Sequence, residues 1–404
     1  MAERLMSEIY HDLTMPEETQ EIREEIREFV ETEVMPVAHD IGVKEENKNN
    51  FPWDLIEKMA KQNIMGIPFP AAYGGRGLKY PVCATVVTME ELAYASNSLA
   101  AIYDVQCMLS GNAITYGSEF IKNKYLTPLI KGKKIGCFAT TEPNASTDLR
   151  VSTVETNAAK SGDKWIINGR KRFITNAPVA GYVALLCRTD DCLTEFIVDL
   201  DAKGVKVGEP DNKIGNKGQL TADIYFENAE VPEENMLGDY GKGLRIALAT
   251  LTFGRIGIGA TGVGMAQSAL DEVCSYFKER EAFGKKIGQF QHWQFEIADW
   301  MVKIENARNL CYKAARRRDE GLEFPEPESA MAKYYSTQIA GDISREAIQA
   351  FGGYGYMNSL GADGSVYKVA EIYRDTKIAE IYEGTNEIQR LIIARQIFGK
   401  DFTG

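Results

Sequence analysis

Apolar residues in the first third of the chain recur at helical spacing. Between residues 16 and 34 they fall on every fourth position, with Glu and Arg between them. These positions are Ile22, Ile26, Val30 and Val34. The spacing places one apolar stripe along an amphipathic helix. Residues 54–62 and 89–109 are also predicted to be helical, so we expect this part of the chain to be a helical domain.

The pattern changes near residue 131, where short runs rich in β-branched and aromatic residues begin to alternate with Gly, Asp and Asn turns. Such runs predict the strands of a compact β domain. They are Lys164–Asn168, Arg172–Asn176, Tyr182–Arg188, Leu193–Leu200 and Ala222–Glu227. A cluster of glycines that ends at Gly243 marks the exit from this domain.

Helical spacing returns after Gly243. One apolar stripe runs from Phe290 to Ile304 and a second from Met331 to Phe351, with two prolines between them. A last helix is predicted at Ile388–Phe398. The order helical, β, helical predicts an α+β protein with domains at 1–134, 135–243 and 244–404.

Composition narrows the class of protein. The 404 residues are 44% apolar and 26% charged, as in globular proteins. A net charge of -12 repels phosphate backbones, so we do not expect nucleic acid as a partner. No apolar run approaches the roughly 20 residues of a membrane span, and the Glu-rich N-terminus does not resemble a targeting peptide. We therefore expect a cytoplasmic protein without a membrane span.

Cysteine and histidine usage favours neither disulfides nor metal chemistry. The seven cysteines are scattered without a CxxC pair, which indicates buried free thiols in a reducing compartment. The three histidines show no ligand spacing, so no metal site is predicted.

One short segment, Gly257–Gly262 (GIGATG), matches the dinucleotide-binding pattern GxGxxG. A Rossmann site needs a strand before the glycines, whereas both flanks here have helical spacing. We interpret the small residues as a place of close helix packing. A nicotinamide enzyme built on this motif is the alternative.

Three other segments carry candidate chemistry. Thr141–Asp148 (TEPNASTD) offers hydroxyls and backbone amides in a turn, and Phe173–Asn176 (FITN) places a ring and a hydroxyl at a strand end. Glu383 follows an Ile-Tyr pair and precedes a glycine before the last helix. Partial burial there would raise its pKa and suit a general base. A structural turn, or a carboxylate that complements a helix dipole, is the alternative for each.

Together with two further segments, these motifs resemble the acyl-CoA dehydrogenase family of flavoenzymes over almost the whole chain. The family patterns are TEPxxGSD, WITN, RxxFGxxIxxFQ, QxxGGxG and YEGT. They correspond to Thr141–Asp148, Phe173–Asn176, Arg280–Gln291, Gln349–Gly355 and Tyr382–Thr385. Two departures are Ser-Thr in place of Gly-Ser at 146–147 and Phe173 in place of Trp. The resemblance implies an acyl-CoA dehydrogenase-like fold with a middle β-barrel or sandwich and a C-terminal four-helix bundle.

The resemblance also implies FAD and the residues around it. Thr141, Thr147, Phe173 and Thr175 are expected around the isoalloxazine. Arg280, Phe283, Gln291, Gln349, Gly352 and Gly353 are expected to reach the adenosine and pyrophosphate from a neighbouring subunit. Thr385 and Glu387 are further cofactor candidates, and Arg255 and Gly384 are substrate candidates. A shared cofactor implies a homo-oligomer, expected to be a tetramer.

The reaction that the resemblance implies removes the α-proton and the β-hydride of an acyl-CoA thioester to give the 2-enoyl-CoA. The family base corresponds to Glu383, whose backbone N–H would also bind the thioester oxygen. Some members carry the base at the position of Gly254, which cannot act here. The expected electron acceptor is electron-transferring flavoprotein.

Asp104 is the one charge between Leu92 and Ser118, on a helix that by resemblance lines the acyl pocket. If it faces the ligand, it disfavours a plain alkyl or a dicarboxylic acyl group and suits a cyclohexane- or cyclohexene-carboxyl group, as a second base or polar contact. If it points away to pair with an amide or another subunit, an ordinary short- or medium-chain enzyme remains. An inactive flavin-binding assembly factor is a further alternative, against which the presence of Glu383 argues.

Overall fold

The computed structural model describes Arg4 and residues 15–403. The helices that precede the β domain are α1 Glu17–Phe29, α2 Ala38–Val43, α3 Trp53–Lys61, α4 Pro81–Ala95, α5 Asn97–Tyr103, α6 Asn112–Thr115, α7 Glu119–Ile121 and α8 Thr127–Ile130. Three π-helical turns, Val30–Val34, Asp104–Gly111 and Lys122–Leu126, continue helices of this domain. The predicted helical domain is confirmed.

The helix expected at 89–109 is interrupted at Ser96, which corrects the prediction. Ser96 has an extended backbone (φ -153°, ψ 109°), and its side chain accepts a hydrogen bond from the Leu99 N–H. Serine caps a new helix this way because its hydroxyl replaces a missing intrahelical partner. The break separates α4 from α5, the helix that leads into Asp104.

The middle domain contains eight strands, β1 Gly136–Ala139, β2 Asn157–Ser161, β3 Lys164–Thr175, β4 Tyr182–Thr189, β5 Cys192–Asp199, β6 Val205–Val207, β7 Thr221–Pro232 and β8 Met236–Leu237. They follow the order β6-β7-β3-β2-β4-β5-β8, with β1 parallel to β4. A single residue pair, Asn157 with Arg188, joins β2 to β4. The sheet therefore divides into two halves around one core, as expected for a barrel or sandwich.

The two runs predicted at 164–168 and 172–176 form one strand, β3. Its pairing with β7 shifts register twice, between Ile167 and Gly169 and between Lys171 and Ile174. Bulges bend a strand and re-aim side chains. The first shift adjoins Gly169, where the second predicted run had not yet begun, and the second shift spans Phe173, which lies inside that run.

The C-terminal domain is helical, as predicted. Its helices are α9 Gly243–Glu279, α10 Gln291–Asp319, α11 Glu328–Phe351, α12 Gly353–Tyr356, α13 Val369–Ala379, α14 Asn386–Phe398 and α15 Lys400–Thr403, and a small hairpin is formed by β9 Glu281–Ala282 and β10 Lys285–Lys286. Helices α9, α10 and α11 pack on one another, and α13 packs on α9 and α11.

The GxGxxG segment lies inside α9, which confirms the packing interpretation and excludes a Rossmann loop there. A Cβ on Gly262 would stand 2.8 Å from the Ser336 backbone, and one on Gly259 would stand 3.1 Å from Ala332. The glycines thus let α9 approach α11 closely.

Helix α9 corrects the expectation that no segment reaches the length of a membrane span. It is long and apolar enough to cross a bilayer by length and composition, but 89% of its most apolar 18-residue window is buried inside the fold. The sequence does not show one continuous apolar run here, because small and hydroxylated residues lie between the large apolar ones. We interpret α9 as the central core helix.

Candidate active site

A strained turn between α13 and α14 presents Glu383. Glu383 has φ +55° and Gly384 has φ +90°, and this left-handed conformation is costly for a residue such as Glu. The Gln389 side-chain amide donates to the Gly384 carbonyl at 2.8 Å. The Asn386 N–H donates to the Glu380 carbonyl at 3.0 Å. These bonds hold the turn in a conformation that its own backbone disfavours.

The Glu383 carboxylate lies against α9 with one oxygen unpaired. Its Oε2 is buried and, apart from the facing Asp104 carboxyl, has no hydrogen-bond partner among the described residues. A Cβ on Gly254 would collide with this oxygen, so glycine clears the space that the carboxylate occupies. A buried oxygen without a donor costs free energy. Such an atom is expected where a ligand supplies the missing partner.

Asp104 enters the same space from the helical domain. It begins the π-helical turn Asp104–Gly111 and is 1% exposed. Its Oδ1 lies 3.3 Å from the position of a Cβ on Gly257, one helical turn from Gly254, and has no partner within the described part of the chain. Asp104 therefore points toward Glu383, and its contact with the acyl group remains a prediction.

The two carboxyl groups perturb each other. Burial, followed by the Glu383 charge and their mutual hydrogen bond, raises the pKa of Asp104 well above its usual range. Burial also raises the pKa of Glu383, while the Asp104 hydrogen bond, Lys333 and Arg255 oppose that rise. Two facing carboxylates cannot both ionise at little cost. Asp104 therefore holds the proton, and Glu383 is the carboxylate of the pair.

Two cations adjoin the turn. Arg255 is 7% exposed, pairs with Glu326 at 2.9 Å and has its Nε 3.4 Å from the Glu383 carbonyl oxygen. Lys333 is fully buried and donates to Asn386 Oδ1 at 3.0 Å. Arg255 was expected at the site from the resemblance. The sequence pattern did not reveal Lys333, because a lysine within a helix usually indicates a solvated face.

Backbone strain marks the same residues independently. Eight residues other than glycine have positive φ in the described part of the chain, and five of them are Asn or Asp. The other three are Phe173, Phe283 and Glu383, all of them site residues expected from the sequence. Strain at bulky residues persists where the surrounding structure enforces it, often at functional sites.

The structure brings the isoalloxazine candidates together at one end of the middle domain. The Arg172 N–H donates to the Thr141 carbonyl at 2.9 Å, which ties the TEP turn to the bulge in β3. Phe173 is 59% exposed, and the Thr175 hydroxyl accepts from Gln219 at 3.1 Å. Thr147 is exposed on the adjoining turn.

Glu142, within the TEP motif, is a structural residue that sequence reasoning missed. Its carboxylate accepts from Lys171 Nζ at 2.8 Å, from the Glu155 N–H at 2.7 Å and from the Thr156 N–H at 3.0 Å. The only signal in the sequence is a lysine inside a strand. The pair fixes the TEP turn on β3.

The adenosine and pyrophosphate candidates lie in the C-terminal domain, at the ends of α9 and α11, in the β9–β10 hairpin and at the start of α10. All six are exposed: Arg280, Phe283, Gln291, Gln349, Gly352 and Gly353. The Arg280 guanidinium lies 5.7 Å from the Tyr354 ring centre, which joins the hairpin to the glycine turn. Gly352 has φ +59°, and a Cβ on it would meet open space.

Thr385 and Glu387 directly follow the Glu383 turn. Thr385 is half-buried at the N-cap position of α14, where its side chain makes no capping hydrogen bond, and Glu387 is exposed in the first turn of that helix. Hydrogen bonding to its own backbone N–H lowers the pKa of Glu387. A carboxylate at a helix start is also the usual structural arrangement.

These residues fit FAD by the chemistry of their side chains. An exposed, strained ring and two threonine hydroxyls suit a flavin ring, while an arginine and open glycines suit a pyrophosphate. Within the described residues, no group of three or more His, Cys, Asp or Glu side chains is placed to hold a metal ion.

Three family models match the chain. Residues 16–133, 137–229 and 241–398 match the N-terminal, middle and C-terminal domains of acyl-CoA dehydrogenases. The chain belongs to the acyl-CoA dehydrogenase family, and it is an oxidoreductase that acts on the CH–CH bond of acyl-CoA. The boundaries at 134 and 243 remain a prediction.

Similar proteins agree over nearly full length. A short-chain specific acyl-CoA dehydrogenase of Clostridium acetobutylicum is 39% identical, over 96% of this chain and 100% of the relative. The caffeyl-CoA reductase-Etf complex subunit CarC of Acetobacterium woodii is 38% identical, over 95% and 99%. The solved structure of butyryl-CoA dehydrogenase from Megasphaera elsdenii has a TM-score of 0.88 and 36% identity, over 96% of this chain and 99% of that one.

Proposed function

We propose that this enzyme is an FAD-dependent acyl-CoA dehydrogenase in which Glu383 removes the α-proton of the thioester. The observation that carries the proposal is the buried, unpaired Oε2 of a strained Glu383. Bound FAD would accept the β-hydride. A carboxylate that is shielded from water and has only the Asp104 carboxyl as a neighbouring donor is a stronger base toward a weakly acidic C–H group.

The backbone of Glu383 is suited to a second task. Its N–H donates to no acceptor among the described residues, whereas its carbonyl is near Arg255 Nε at 3.4 Å. A free N–H beside the base can bind the thioester oxygen where negative charge develops. Gly384 lets the chain pass close to the substrate, and Arg255 orients the turn.

The fit of Asp104 beside Glu383 supports a compact acyl group of the cyclohexane- or cyclohexene-carboxyl type. A buried carboxyl in the pocket gives a polar contact, or a second acid, that a plain alkyl chain would not use. A short linear acyl group is the second candidate, which the name of the Clostridium acetobutylicum relative favours.

Reduction of the flavin by defined substrates tests this proposal. Purified protein should be yellow and should bleach with cyclohexane-carboxyl-CoA faster than with butyryl-CoA or octanoyl-CoA. Asp104→Ala should remove that preference. A wild-type preference for butyryl-CoA would reject the cyclic substrate, and a colourless protein unable to take up FAD would reject the whole proposal.

We also propose a cytoplasmic homo-oligomer, expected to be a tetramer, with electron-transferring flavoprotein as acceptor. The two groups of cofactor candidates lie in different domains, and apolar side chains remain exposed near the second group, with Phe283 at 96% and Phe295 at 61%. The Etf complex named for the Acetobacterium woodii relative supports the acceptor. Sedimentation of the holoenzyme and reoxidation of the reduced flavin by the acceptor test both points.

An inactive assembly factor is the remaining alternative. Such a protein would bind FAD, yet none of the three CoA esters would bleach it. The geometry of Glu383 argues against this alternative, because a scaffold has no use for a strained and unpaired carboxylate.

A further inference from the structure

Lys333 lies behind the Glu383 turn, on α11, with its side chain fully buried at 0% exposure. Removing an ammonium group from water costs several kcal/mol unless partners compensate. Its one hydrogen bond among the described residues goes to Asn386 Oδ1 at 3.0 Å. A group so poorly compensated needs a reason for its burial.

Asn386 connects Lys333 to the turn. It is the first residue of α14, three positions after Glu383, and it is 3% exposed. The Thr337 hydroxyl, one turn along α11, lies 3.1 Å from the same Oδ1 and 2.8 Å from the Lys333 carbonyl, so these two acceptors share its single proton. Because the Asn386 N–H is bonded to the Glu380 carbonyl, α11 holds both ends of the turn through this one residue.

Charge links Lys333 to Glu383 as well. Burial lowers the pKa of Lys333 to about 7, and Glu383 is the largest influence that opposes this. The Arg255 charge also lowers the pKa of Lys333, whereas the charges of Glu380 and Glu387 raise it, as that of Glu383 does.

Two other groups also favour the Glu383 anion, Asp104 through its hydrogen bond and Arg255 through its charge, but neither is a free cation beside the carboxylate. Asp104 faces Glu383 from the helical domain and keeps its proton, and the Arg255 guanidinium is already paired with Glu326.

We propose that Lys333 is a positioning residue for proton removal: it holds the Glu383 turn through Asn386, and its charge keeps the Glu383 carboxylate ionised before the substrate enters. This inference rests on the proposed role of Glu383 as the base.

Two variants separate charge from anchoring. Lys333→Gln keeps a donor for Asn386 but removes the charge, while the matched control Thr337→Val removes a hydrogen bond to the same oxygen and keeps the charge. FAD content and circular dichroism establish that each is folded. The measurement is the single-turnover rate of flavin bleaching by butyryl-CoA or cyclohexane-carboxyl-CoA between about pH 5.5 and 9.

Lys333→Gln should raise the midpoint of the rate profile by about one pH unit, because an opposite charge no longer favours the Glu383 anion. The rate below the midpoint should fall roughly tenfold. The pH–rate profiles of Lys333→Gln and of the wild type should converge at high pH, where wild-type Lys333 is neutral. Thr337→Val should keep the wild-type midpoint. An unchanged midpoint in FAD-saturated Lys333→Gln would overturn the role of the charge.

Asn386→Ala tests the anchor even if Lys333→Gln does not fold. It should slow bleaching at least about tenfold at every pH, since a displaced base loses alignment, without moving the midpoint. A wild-type rate would overturn the anchoring role. Failure of the wild-type enzyme to bleach with any CoA ester would instead refute the proposed function, so the two failures are distinguishable.

Discussion

Two buried carboxylates in different domains have opposite surroundings. Glu142, in the middle domain, accepts hydrogen bonds from Lys171 and from two backbone N–H groups. Glu383, in the C-terminal domain, has a strained backbone and a buried Oε2 with no partner other than the Asp104 carboxyl. A saturated carboxylate stabilises the fold and has nothing left to offer a ligand, whereas an unsaturated one is free to take a proton.

A third carboxylate refines this comparison. Glu195, on β5, is fully buried and neither of its oxygens has a partner among the described residues. Burial raises its pKa to about 8, so it is neutral at pH 7. Its backbone is a regular strand, and the glycine beside it, Gly243, makes room for the Thr194–Glu195 backbone and not for the carboxyl group. Lack of a partner therefore does not identify a base by itself; at Glu383 it coincides with strain and with the space left by Gly254.

The largest expected effect is the loss of activity in Glu383→Gln. Without the base, bleaching of the flavin by substrate should slow by roughly 10²- to 10⁴-fold. The free energy of unfolding should stay the same or rise, because an unsatisfied carboxylate is removed. Rapid-mixing absorbance and thermal unfolding measure the two quantities. Bleaching at the wild-type rate would show that Glu383 is not the base.

Glu142→Leu should have the opposite effect, because it should reduce stability. It leaves the Lys171 ammonium buried without its counter-charge, which should lower the free energy of unfolding by about 3–5 kcal/mol. Chemical denaturation measures this loss. The double variant with Lys171→Met serves as the control and should recover much of it. A loss as small as that of a surface substitution would contradict the structural role.

Glycines on α9 allow a matched test within one helix. Gly254→Ala pushes on the Glu383 carboxylate and should reduce activity about 100-fold, with little change in stability. Gly262→Ala pushes on the Ser336 backbone instead and should cost about 1–3 kcal/mol of stability. Activity per folded, FAD-loaded molecule separates the two. Equal losses of activity and of stability in the two variants would contradict the different roles of Gly254 and Gly262.

Glu195→Gln should have the smallest effect on activity, and its effect on stability should depend on pH. The pKa of Glu195 is raised on folding, so the folded state keeps a proton that the unfolded chain releases. Wild-type stability should therefore fall by at most about 1.4 kcal/mol per pH unit as the pH rises toward about 8. The variant lacks this pH-dependent contribution. The free energy of unfolding of the variant should therefore rise relative to that of the wild type over that range. Denaturation at several pH values measures it; equal slopes would contradict the raised pKa.

Much of the fold was predictable because it rests on local periodicity. The order of domains, the long C-terminal helices and the helical nature of Gly257–Gly262 follow from apolar spacing alone. The predictions that were wrong concern segments whose structure depends on distant contacts or on a single helix cap. Ser96 starts a new helix, two runs predicted as separate strands form the single bulged strand β3, and the burial of α9 by its neighbours makes its apolar length that of a core helix.

The amino-acid sequence by itself determined the family, the succession of helices and strands, and the candidate base at position 383. Only the tertiary structure decided that Asp104 faces this base, that Lys333 lies behind it, and that the Glu142 carboxylate forms an ion pair with Lys171. The reason is physical. Spacing along the chain reports which face of an element is buried, but the proton affinity of a side chain depends on charges and donors that packing brings from remote segments.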